Sequence, residues 1–192
     1  YDEAMQFADD MLAKDPNNTF YLYVKGYLYH NMKDYDKAIE FYKKTIEVDP
    51  NYAEAYSNLG LIYCLQAQDF SEKATTDIND PKYKEDQATL KTFYEKAKPY
   101  YEKARELKPD QKDLWLNGLY RVYYNLQMGP EFEEIEKLIA RLKEILENED
   151  VRMDVIKGEL QEVKDKFGDE RKTDIVYASE ELNPEDFYAD DE

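Results

Sequence analysis

The 192-residue chain has one histidine, His30, and one cysteine, Cys64, and any metal or nucleophilic chemistry would have to start from them. A transition metal needs a third and normally a fourth ligand, and the sequence has no further His or Cys to supply one. Nucleophilic catalysis fails similarly, because neither residue has a base and an orienting group set around it. Acidic pairs such as Glu133-Glu134 read as solvated helix faces rather than as a general acid and base. There is no glycine-rich phosphate loop, and no Asp-rich stretch has the spacing of a calcium loop. The expectation is no enzyme, no cofactor and no metal. The 19 tyrosines remain; each offers wide contact area, few rotors and one polar tip, which suits protein recognition.

Bulk properties narrow the partners. The chain carries 26 basic against 44 acidic side chains, a net charge of −18, so phosphate backbones and anionic lipid surfaces are repelled. No run approaches the length of apolar residues that crosses a bilayer. Neither nucleic acid nor membrane insertion is expected. A single cysteine rules out an internal disulfide and leaves the redox compartment open. Six glycines and seven prolines are too few for an all-β chain, and Ala, Leu, Glu and Lys recur at helical spacing, which predicts an all-α fold.

The elements that would position the tyrosines come from a repeated phrase. YDKAIEFYKKTIEVDPNY at 35–52 has echoes in YDEAMQFADDMLAKDPNN at 1–18 and YEKAKPYYEKARELKPDQ at 94–111. Tyr35, Ala38, Ile39, Tyr42, Thr45 and Ile46 fall on one helical face, and Asp49-Pro50 stops the helix. Upstream, FYLYVKGYLYHNMKD is a second helical run, so the pair forms a hairpin whose apolar faces need a neighbour. The first interval is 34 residues (1 to 35) and the second 59 (35 to 94), so 25 residues are inserted. They fall at about 67–92. One stripe continues through Tyr63, Ala67, Phe70, Ala74 and Ile78, and another returns through Tyr83, Gln87, Leu90, Tyr94 and Ala97. Both helices of this unit are expected to be longer, projecting ~18 Å, with a kink at Pro99.

These offsets resemble the tetratricopeptide repeat. The unit 19–52 supplies Leu22, Gly26, Tyr29, Tyr35, Ala38, Tyr42 and Pro50, departing where Lys25 stands in place of leucine. The unit 53–111 supplies Tyr56, Leu59, Gly60, Tyr63, Tyr94, Ala97, Tyr101, Ala104 and Pro109. Residues 1–18 match only a second helix, with Ala4 and Pro16 in register, so the chain reads as the C-terminal part of a longer array. Residues 112–147 form a divergent unit with Trp115 or Leu116 at the first large position and Phe132, Ile135, Ile139 and Leu142 inward. Residues 148–168 are expected as a capping helix ending at Gly168, with Val151, Val155, Ile156, Leu160, Val163 and Phe167 in its stripe. The resemblance implies a right-handed α-α superhelix with one elongated hairpin and a C-terminal cap. The passage from KAKPYYEKARELKPD to LYRVYYNLQM also looks like bacterial arrays associated with the cell envelope or periplasm.

The family generally holds a partner peptide or surface in a concave groove lined by first helices. By position the resemblance implies a groove of Tyr23, Tyr27, His30 and Asn31, then Ser57, Asn58 and Leu61, then Leu116, Asn117, Tyr120 and Tyr124. Members that clamp the acidic terminus of heat-shock chaperones carry a basic residue and an asparagine where this chain has Tyr23/Tyr27, Ser57/Leu61 and Leu116/Tyr120, so that clamp is not expected here. His30 and Cys64 share one repeat position and are expected as packing or groove-wall residues. The resemblance implies a protein-binding scaffold; the alternative is self-association through the long hairpin or the N-terminal helix. The last 24 residues, 169–192, carry ten acids and two bases around Ile175-Val176-Tyr177 and Phe187-Tyr188. They are expected as a solvated tail, with docking of one apolar cluster in a groove as the alternative.

Overall fold

A computed structural model of the chain describes residues 1–167. Those residues contain seven α-helices, one short 3₁₀ turn and no strand. Residues Tyr1–Lys137 form one compact unit, and Leu138 onward forms a second. The tail at 169–192 and the expected helix stop at Gly168 lie outside the described residues.

In the first unit, helix boundaries follow local chemistry. α1 (Asp2–Lys14), α3 (Tyr35–Val48) and α5 (Tyr83–Leu107) each end two residues before a proline. The intervening Asp15, Asp49 and Lys108 leave the helical region, with φ −139°, −126° and −137°, because the following proline ring crowds a helical predecessor. α2 (Thr19–Asn31) starts on Asn18, whose side chain accepts the Tyr21 amide at 3.2 Å, and α3 starts on Asp34, which accepts the Lys37 amide at 3.3 Å. These caps satisfy amides that have no partner inside the helix.

Each small residue has a ring to seat. A Cβ added at Gly26 would lie 2.7 Å from the ring of Tyr42 on α3, and one at Gly60 of α4 (Ala53–Ser71) would lie 2.6 Å from Tyr101 on α5. The glycine lets the paired helix place a whole aromatic ring against backbone. Tyr42, Ala38, Ala55, Leu59 and Ile62 form a fully buried core that joins the two hairpins.

The departure at Lys25 has a physical reason. Its side chain is only 12% exposed, and its ammonium bonds Asp9 of α1 at 2.5 Å while lying 4.4 Å from the ring centre of Phe41. A lysine fits the leucine position because its stem packs and its charge finds a carboxylate and a π-face.

The insertion is helical at both ends but not throughout. α4 has 19 residues against 13 in α2, and α5 has 25 against 14 in α3. α5 runs unbroken through Pro99, and Phe70 and Phe93 close the arms with ring centres 6.1 Å apart. The expected continuation of the first arm through Ala74 and Ile78 is corrected: α4 stops at Ser71, and Ile78 is 75% exposed. Side chains capture the backbone there. Asp86 accepts the Thr75 amide at 2.9 Å, Thr75 the Asp77 amide at 3.2 Å, Asp77 the Asn79 amide at 2.9 Å and Asp80 the Lys82 amide at 2.8 Å. Such bonds offer amides an alternative to the helical ladder.

After the 3₁₀ turn Lys112–Leu114, α6 (Leu116–Asn125) buries Leu116, Leu119, Val122 and Tyr123. α7 runs from Gly129 to Phe167 as one helix, so the expected boundary between 147 and 148 is absent. Asn148-Glu149-Asp150 contains neither proline nor glycine, and nothing in it stops a helix. Within the first unit, α7 contributes Ile135, which is fully buried.

Candidate functional site

The first helices of the units, α2, α4 and α6, carry the expected groove residues, and the structure sorts these into three groups. The first group braces the helices. Asn58 Nδ2 donates to Tyr23 Oη at 2.9 Å, joining α4 to α2, and Ser57 Oγ donates to the Leu114 carbonyl at 2.6 Å, joining α4 to the turn before α6. Tyr23 lies half-buried between Tyr42 and Tyr52, with ring centres 5.6 and 5.0 Å away. Burial raises its pKa, so the phenol stays protonated.

The second group is packing. Leu116 is 7% exposed, which corrects its expected place on the groove wall: it opens α6 directly after Trp115 and joins the buried stripe of that helix. Leu61 is half-buried. Cys64 is 1% exposed, its thiol pushed up to about 11 by burial, and it keeps company with Tyr101, Tyr94 and Arg121. That thiol is not a nucleophile at neutral pH. His30 sits elsewhere, half-buried with its ring edge-on to Tyr35 at 6.2 Å, and its Nδ1 is buried without a hydrogen-bond partner. Among the described residues no group of three His, Cys, Asp or Glu side chains is placed to hold a metal, and no helix is long and apolar enough to cross a membrane.

Burial gives His30 a pH signature. It holds the imidazole below its ordinary value of 6.5, because an imidazolium loses hydration there. The unfolded chain therefore takes up the proton first as pH falls. The contribution of His30 to stability is complete above about 6.5 and is lost progressively below it. Urea midpoints are expected to fall between about pH 7.5 and about pH 5.5, and to fall less in His30→Gln. A midpoint that rises on acidification would contradict this.

The third group is exposed. Tyr27 on α2 is 51% accessible, and Asn31 beside it donates its amide back to the Tyr27 carbonyl at 2.9 Å. On α6, Tyr120 is 40% and Tyr124 64% accessible, and both lean on Phe132 with ring centres 5.0 and 5.6 Å away. Asn117, Tyr120 and Tyr124 line a shallow recess together with Arg121 and Asn125. Arg121 and Asn125 were not among the expected residues. Their signal is spacing: Asn117, Arg121 and Asn125 follow at steps of four, one line on a helix.

Known proteins share this pattern in part. The family described as TPR repeat matches residues 12–66. The photosystem I assembly protein Ycf3 of Acaryochloris marina is 25% identical over 125 residues, 64% of this chain and 66% of that protein. The Ycf3 of Rippkaea orientalis is 29% identical over 100 residues, 52% of this chain and 51% of that protein. The DNA gyrase of Clostridium acetobutylicum, in its A-type polypeptide, is 42% identical over 71 residues, 37% of this chain but 8% of that protein. The chain thus spans from under a tenth to about two thirds of the length of these relatives.

Proposed function

We propose that the chain, which is a tetratricopeptide-repeat protein, acts as a non-catalytic scaffold holding a segment or surface of another protein against the first helices of its repeats. One observation carries this reading. α2 and α6 bury one side among their neighbours, yet leave Tyr27, Tyr120 and Tyr124 exposed, with Asn31, Asn117 and Asn125 between them. Rigid aromatics on a braced backbone lose little entropy on binding, and the amides meet the carbonyl and amide groups of an extended chain. The cross-links through Asn58 and Ser57 fix the spacing of the helices before a partner arrives. Two relatives are named for assembly of a complex; assembly as a kind of work is the part of that likeness proposed for this chain.

Peptides selected from a random library against the intact chain provide the test. Each large aromatic removed from an interface centre costs about 1–2 kcal/mol. The triple variant Tyr27→Ala, Tyr120→Ala, Tyr124→Ala is therefore expected to bind selected peptides at least about a hundredfold more weakly. The three side chains are exposed, so helix content should be unchanged by circular dichroism. Equal affinity in the folded triple variant would exclude the groove.

A further inference from the structure

We propose that the long helix of the second unit pairs with the same helix of a second copy as an antiparallel coiled coil. The inference rests on unit 2 and stands or falls separately from the groove of the first. From Ile139 onward, Leu142, Leu146, Glu149, Met153, Ile156 and Leu160 follow at alternating steps of three and four. That average of 3.5 residues is the heptad period, in which one narrow seam stays turned toward a partner helix. The segment lies within one unbroken helix, and no residue from 138 to 161 is buried. Leu146 and Ile156 on the seam are 57% and 47% exposed, and Ile145, Val151 and Val155 beside it are 45%, 61% and 54% exposed. An apolar strip roughly 33 Å long is more than a solitary helix leaves to water.

Charge selects both the partner and its direction. In a parallel pair Glu149 would face Glu149 of the second copy in one seam layer, and Arg152 would flank Lys157: like charges meet twice over. Turning one helix round about the point between Asp154 and Val155 removes both conflicts. Met153 then opposes Ile156, and Glu149 lies over Leu160, where its stem packs and its carboxylate reaches the rim. At the flanks Asp150 meets Lys157 and Arg152 meets Glu159, each pairing occurring twice by symmetry. All four of these side chains are exposed in the single chain. The helix therefore complements itself.

Sedimentation equilibrium of the full 192-residue chain, in a concentration series from low micromolar upward, reads this directly. The mass is expected to rise from 22.9 kDa toward twice that value. Leu146→Glu and Ile156→Glu are expected to keep the chain monomeric with its circular dichroism unchanged, since both sites are exposed. Asp150→Lys is expected to raise the concentration for half-dimerisation about tenfold, and adding Lys157→Asp to restore it. The proposal is overturned by a wild-type mass of one chain throughout, by a dimer that survives both glutamate substitutions, or by a charge swap that fails to restore pairing. Parallel pairing gives that last result, because it never brings Asp150 and Lys157 together.

Discussion

Tyr101→Ala is expected to remove about 3–5 kcal/mol of stability, much of the 5–15 kcal/mol or so that typically holds a domain folded. Tyr101 is 5% exposed and its ring is gripped from two sides. A Cβ added at Gly60 on α4 would lie 2.6 Å from one edge of the ring, and one at Gly118 on α6 would lie equally close to the other. Three helices thus meet through one aromatic plate, with backbone on both faces. Removing the plate leaves a cavity whose walls cannot collapse, because main chain moves less readily than side chains. Filling the space from the other side does the same damage, so Gly118→Val is expected to match Tyr101→Ala within about 1–2 kcal/mol. Tyr101→Phe keeps the plate and should cost little. Urea unfolding followed by far-ultraviolet circular dichroism measures all three; a Tyr101→Ala midpoint near wild type would contradict the stacking described above.

Trp115→Ala is expected to cost a similar amount, about 3–5 kcal/mol, but at one end of the stack. The indole is 2% exposed, donates Nε1–H to the Lys108 carbonyl at 3.2 Å, and carries the Arg105 guanidinium 4.7 Å above its ring. It therefore fastens the end of α5 to the start of α6, across the extended turn that Pro109 imposes. In an array where each unit touches mainly its neighbours, damage at one end spreads weakly. Amide hydrogen exchange is expected to show α6 losing protection while α2 and α3 keep most of theirs. Trp115→Phe retains the apolar body and loses one hydrogen bond, about 1 kcal/mol. Uniform loss of protection from α1 to α6 in Trp115→Ala would mean that the first unit unfolds as a single block.

Features set by near neighbours were legible in the sequence. The prolines at 16, 50 and 109 act on the residue before them, so the ends of α1, α3 and α5 could be read directly. The glycine and tyrosine offsets were legible as a family pattern, and the structure supplies their reason in the seating of Tyr42 on Gly26 and Tyr101 on Gly60. Interactions over longer separations were not legible. Lys25 looked like a departure because its partner, Asp9, lies 16 residues away on another helix. The end of α4 was overrun because Ala74 and Ile78 keep helical spacing, while the Thr and Asp side chains that capture the backbone leave no periodic mark. In the groove, repeat position identified the helices but not the role of each side chain. Ser57, Asn58 and Tyr23 serve as braces and Leu116 as core, because those roles depend on what stands opposite. Exposure remained for Tyr27, Tyr120 and Tyr124.

Hydrogen exchange of the intact chain, with and without a peptide selected against it, tests the scaffold reading most directly. Recognition by the first helices predicts slowed exchange in α2 and α6 around Tyr27, Tyr120 and Tyr124, with α3 and the outer arm of α5 unchanged. Slowing confined to α3, α5 or the second unit would contradict it.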